Sequence, residues 1–329
     1  MIDRRRFLLS AAAAAGVACA QPVLGEVAGR KALTRKQRVD RVLAGHDVDR
    51  PPFTHWHHFE PQTAEVHAKV TLDYHWKYKT DIVKVMSDYP YPKPAGNWYE
   101  LKALDNPFPE QIRALELINS GLHGDAYILE TAFNPWQVAI NLSSREELAR
   151  LRQENPQRLF DALEVITQSH INHAKRAFAA GASGILFAVA NCKPSELSLA
   201  DYARFSAPFD KKFVDAIAGA RLNFLHLHWE NEYVNQFVGF NVPVINWSVQ
   251  TSGVQVSAVR SKFSQTIATG IDEVKYKDLS PAQMREQWQS ASSAAGSKFI
   301  LTPGCSVPND TTDEELSRLP EVLGPDRLR

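Results

Sequence analysis

Two histidines, His226 and His228, stand two residues apart in the apolar run Asn223-Phe-Leu-His-Leu-His. On a strand, positions i and i+2 share a face, so both imidazoles would project the same way. Cys305 ends a later apolar run, Lys298–Cys305. Two imidazoles and a thiolate make a three-donor metal set with its fourth position open, an arrangement of catalytic rather than structural sites. Spacing alone equally allows two satisfied core histidines and a cysteine buried as a small apolar residue.

Further reactive side chains crowd the run Pro52–His58, which ends Thr-His-Trp-His-His. His55 and His57 share a strand face there; with His58 nearby they would bind an anionic group, supply a general acid or assist a metal, while His58 equally reads as an exposed turn histidine. Asp88 ends the run Asp81–Asp88, where a carboxylate can hold a substrate amine, orient a metal-bound histidine or simply cap the strand. Cys192 follows a fourth run and reads as an extra ligand, a disulfide partner of Cys305 or an idle residue. Glu230 and Glu232 fall at a helix start, where acidic residues suit the dipole as well as they suit catalysis.

These side chains need elements that gather them. Short β-rich runs recur at 52–58, 81–88, 126–133, 184–191, 223–228, 242–248, 265–271 and 298–305. Helical periodicity predicts helices at 110–120, 156–180, 199–218, 230–240, 253–263 and 281–295, with an extra helix at 34–44 ahead of the first strand. Alternating strands and helices imply parallel pairing with right-handed crossovers, and eight such units close into a (β/α)8 TIM barrel. In that fold chemistry sits at the C-terminal strand ends, where the histidines, Asp88 and Cys305 all fall. The Pro-rich stretch 89–109 would be a loop over that face, the 34–44 helix would cap the opposite end, and Asp81 would start its strand there.

With 37 basic and 37 acidic residues the net charge is zero, which argues against nucleic acid and anionic membranes as partners. Residues 1–20 combine Arg4-Arg5-Arg6, an apolar run from Phe7 to Val17 and Ala18-Cys19-Ala20, the pattern of a cleaved signal peptide. Arg-Arg-Arg-Phe-Leu-Leu fits the twin-arginine form, for proteins exported already folded. The expectation is a periplasmic protein without stable membrane insertion, with a signal at 1–20, a flexible segment at 21–33 and one barrel domain at 34–329.

Several segments in shared order resemble the uroporphyrinogen decarboxylase superfamily. They are 38–45 with Asp49-Arg-Pro-Pro52, Phe133-Asn-Pro-Trp-Gln-Val-Ala139, 180–187 into 197–202, Asn223–His228, Val244-Ile-Asn-Trp247, Thr266–Asp272 and Ile300–Pro308. The likeness is nearest to the branch of methylcobalamin:coenzyme M methyltransferases, which bind zinc through His-x-Cys and a distant Cys. The matching positions here are His226, His228 and Cys305, with His in place of the middle Cys. The resemblance implies zinc-dependent methyl or alkyl transfer from a corrinoid to a thiol, with Asp88 at the family's catalytic aspartate. It also departs from true uroporphyrinogen decarboxylase: no arginine follows the first run, Asn141 stands where that enzyme has a tyrosine, and Cys305 where it has a histidine. Metal-free decarboxylation of a tetrapyrrole or other carboxylate is therefore the second expectation. A non-catalytic periplasmic metal- or corrinoid-binding protein is the third.

Overall fold

Parallel strands need long crossovers, and the chain supplies helices for them. The computed structural model describes residues 32–61, 63–228 and 233–324, within one unit, Ala32–Arg329. The expected signal, nearly all of the segment 21–33, Glu230 and Glu232 lie outside the described residues.

Seven strands form one curled parallel sheet in chain order: β1 (Ile82–Lys84), β2 (Tyr127–Phe133), β3 (Gly184–Val189), β4 (Phe224–Leu227), β5 (Val244–Trp247), β6 (Thr266–Ile271) and β7 (Phe299–Pro303). Residues alternating along these strands, Ile82, Leu129, Leu186, Phe224, Val244, Ala268 and Ile300, pack into an inner core with Val39 and Val42. Those two valines lie on the helix Arg35–Leu43, which Thr34 and Gln37 start with a capping box. The helix thus closes the N-terminal end of the sheet, as expected. Beside it Asp81 is fully buried, with Arg38 Nη1 at 2.6 Å and Arg50 Nη1 at 2.5 Å.

The expected first strand, at 52–58, is reduced to a single bridge from Phe53 to Leu301. Thr54 N–H donates to Leu301 O (3.1 Å), Leu301 N–H to Pro52 O (2.8 Å), and Asp81 N–H to Phe53 O (2.8 Å). The segment therefore reaches β7 on one side and the lead into β1 on the other. Pro51 and Pro52 have no N–H to donate, so the ladder cannot extend toward the N-terminus.

Helices appear at Pro109–Leu122, Pro156–Ala179 and Pro281–Ala295 as periodicity predicts. The 199–218 helix is two, Leu199–Phe205 and Ala207–Ile217, broken at Ser206 ahead of Pro208. The expected 253–263 helix shrinks to Val256–Arg260, and within the described part of 230–240 only a short 3-10 turn, Val234–Phe237, forms. The helix Ala64–Tyr78 is an addition. Its buried face mixes Ala64, Ala68 and Tyr78 with His67, Thr71 and His75, so no continuous apolar stripe announces it. Arg145–Glu154 and Asp313–Val322 are further additions, capped by Ser144 and Thr312. Among the described residues no helix is long and apolar enough to cross a membrane.

Candidate metal centre

His226 lies inside β4 and His228 just past its end, where His228 N–H still bonds Val189 O at 3.0 Å. Register sets Ala188, His226, Asn246 and Ala268 side by side on neighbouring strands. The methyl side chains of Ala188 and Ala268 leave the imidazole room, while Asn246 fixes its direction. Asn246 Nδ2 donates to Ala268 O at 2.8 Å and to Thr302 Oγ1 at 3.1 Å. Its Oδ1 must therefore accept, and it lies 2.5 Å from His226 Nδ1. The proton thus sits on Nδ1, which leaves the Nε2 lone pair pointing outward.

That lone pair faces the thiol of Cys305, at 3.6 Å. Cys305 follows β7 through Gly304, whose N–H bonds Ile271 O at 3.1 Å. A Cβ on Gly304 would lie 2.3 Å from Ser248 Cα and 2.7 Å from Glu273 Oε2, so only glycine lets this turn approach β5. Donor atoms of His226, His228 and Cys305 all fall within 4.8 Å of one another. The sequence-derived set is thus brought together. Neither Cys192 nor Cys305 is in a disulfide, so none ties up the third donor.

The electrostatics suit soft-metal ligation. Burial pulls His226 down to about 4 and His228 down to about 2, so both present neutral imidazoles near pH 7. Burial pushes the Cys305 thiol up to about 11, so without a cation it keeps its proton. A metal that displaces this proton would receive one anionic and two neutral donors. Residues and geometry fit a zinc-type ion.

The three donors line a small chamber of about 20 Å³ together with Trp56, His58, Lys84, Met86, Thr131 and Phe133. A cavity needs roughly 10–15 Å³ to hold one water, so this one suits a single small body. Ser87 and Phe133 are also walls of a second cavity of about 260 Å³, lined by Asp88, Tyr89, Tyr91, Phe108, Val138, Asn141 and His170. That volume is just below the roughly 300–1,000 Å³ of drug-sized pockets, so it accommodates a compact molecule.

Asp88 lines the larger cavity and reaches His58 in the wall of the smaller one. Its Oδ1 lies 2.5 Å from His58 Nδ1, and Phe59 N–H lies 3.4 Å from Oδ2. Burial is the largest single influence and acts to raise this carboxyl, but the hydrogen bond and attraction from His58, with Lys84 and the Phe59 N–H, together outweigh it and hold Asp88 below the usual range. His55 and His57 do share a face, but it turns away from both cavities. His55 Nδ1 is hydrogen-bonded to Tyr74 OH and packed against Tyr78, and His57 packs against Phe59 and Tyr74. Trp56 and His58 take the chamber positions instead. Asn246 and Lys84 were not singled out from the sequence, and His58 only as a neighbour of the His55 and His57 pair. For Asn246 the available signal was its alignment in Val244-Ile-Asn-Trp247, one strand beyond the His pair.

Residues 90–323 match the family model described as uroporphyrinogen decarboxylase (URO-D). No curated protein matches the chain by sequence. Among solved structures, a methyltransferase from Methanosarcina mazei superposes with a TM-score of 0.75 at 16% identity, covering 88% of this chain and 98% of that one. A B12-independent methionine synthase from Shewanella sp. W3-18-1, in complex with selenomethionine, superposes with a TM-score of 0.58 at 13% identity, covering 82% and 91%. At such identities these two likenesses concern the fold.

Proposed function

The chain belongs to the uroporphyrinogen decarboxylase family, and from that premise we propose that it is a zinc-dependent enzyme transferring a methyl or small alkyl group to a thiol or similar nucleophile. The observation that carries this reading is the Cys305 thiol 3.6 Å from a His226 Nε2 whose tautomer Asn246 fixes. His226, His228 and Cys305 would hold the metal. Bound zinc would supply a Lewis acid that lowers the pKa of an incoming thiol.

The rest is work for the chain's own residues. Asp88 holds His58 through Nδ1, so His58 Nε2 is the atom placed to take the thiol proton. The thiolate then attacks the methyl carbon. A carbon–sulfur bond forms as the donor–carbon bond breaks, and the donor leaves with that electron pair. Phe133 and Met86 in the chamber walls exclude competing water. The donor implied by the family likeness is a corrinoid. A cavity of about 260 Å³ is too small to enclose a macrocycle, so the corrinoid would present its methyl group at the mouth. The same volume counts against a tetrapyrrole as the decarboxylated substrate. Export remains part of this proposal, on the pattern of residues 1–20.

The test uses zinc-loaded protein, methylcobalamin as donor and small thiols, among them 3-mercaptopropionate and 2-mercaptoethanol as acceptors. Thioether formation lost in Cys305→Ala supports the proposal. Thioether formation equal to that of the protein-free mixture contradicts it.

A further inference from the structure

Lys84 is the one cationic side chain among the chamber-lining residues that keeps its charge irrespective of a histidine proton. It ends β1 with its side chain 7% exposed. Among the described residues it forms no ion pair, and its hydrogen bond goes to the thioether sulfur of Met86 at 2.7 Å. A thioether is a weak acceptor, so the bond repays little of the cost of burying an ammonium. The Trp56 ring, 5.5 Å from Nζ, adds a cation–π contact. The nearby carboxylates are committed elsewhere. Asp88 is held by His58 and Phe59 N–H, and Glu130 by His173 (3.0 Å) and Gln111 (3.0 Å). A buried cation with no committed anion beside an open space is built to receive one.

We infer that Lys84 is the specificity-determining anion anchor of this pocket, and that the ligand group entering the chamber beside His226, His228 and Cys305 is anionic. The ligand class is a compact carboxylate or thiolate whose apolar body fills the larger cavity against Tyr89, Tyr91, Phe108 and Val138. Burial lowers Lys84 only to about 8, so it is charged at neutral pH. This deepens the proposed function by naming its substrate class, and it rests on the same pocket but not on the metal.

Calorimetric titration of metal-stripped, full-length protein at pH 7 tests it. The probes are acetate, propionate and benzoate, each beside its uncharged isostere acetamide, propionamide or benzamide. At least one acid should bind tenfold or more tighter than its amide, with the preference lost in Lys84→Met and kept in Lys84→Arg, both checked for native circular dichroism. Acids binding no tighter than amides, or a preference surviving Lys84→Met, would overturn the inference. Running the titration without metal keeps it independent of the zinc reading: a protein lacking zinc can still pass, and a zinc enzyme can still fail.

Discussion

His226 Nδ1 lies 2.5 Å from Asn246 Oδ1, and that carbonyl can only accept because its amide nitrogen already donates to Ala268 O and Thr302 Oγ1. Asn246 therefore decides which imidazole nitrogen faces Cys305. Asn246→Ala leaves all three donors in place yet frees the ring to rotate or change tautomer. Zinc affinity, measured by competition with a chromophoric chelator, should fall about 10–100-fold. Unchanged affinity would remove Asn246 from the site.

The neighbouring histidines separate by face. His58, paired with Asp88 at the chamber wall, should lose about 10²–10⁴-fold in methyl-transfer rate on replacement by alanine. His57, packed on Phe59 and Tyr74, should lose only a few-fold. Parallel assays of His58→Ala and His57→Ala check this, and the reverse order would show that 55–58 is read in the wrong register.

That register shows where sequence reasoning stops. The His226, His228 and Cys305 grouping was legible because a period of two in an apolar run fixes a shared face and strand ends fix a shared rim. In Thr54-His-Trp-His-His58 every residue can do chemistry, so no apolar alternation marks the inner face, and a slip of one residue exchanges His55 and His57 for Trp56 and His58. Lys84 escaped notice because one lysine ending a short strand looks solvated until the surrounding strands bury it. The helix Ala64–Tyr78 escaped because its buried face interleaves the polar His67, Thr71 and His75 with the small Ala64 and Ala68.

Asp81, fully buried, holds Arg38, Arg50 and Phe53 N–H at the N-terminal end of the sheet. Removing a buried partner leaves the remaining charges uncompensated. Asp81→Ala should destabilise the fold by about 3–5 kcal/mol in urea unfolding. A loss below about 1 kcal/mol would mean that the guanidiniums reach solvent.

Burial raises the Asp210 carboxyl to about 7, against partners Asn134, Tyr202 and Ser206 that favour its anion. Its folded value exceeds its unfolded one, so between about pH 4 and pH 7 the folded chain binds more protons than the unfolded chain. Its contribution to stability is therefore fully present below about pH 4, declines as pH rises toward 7, and is flat above. Asp210→Asn lacks this titration, so the stability difference, variant minus native, should move in favour of the variant from pH 4 to pH 7. Unfolding curves at three pH values check the slope; a difference independent of pH would refute the buried protonated carboxyl.

Elemental analysis of mature protein purified without chelators, beside Cys305→Ala, tests the central claim most directly. The three-donor centre predicts about one zinc per chain, lost in the variant, because removal of the thiolate takes away the only anionic donor. Metal absent from both proteins, or retained equally by both, would contradict it.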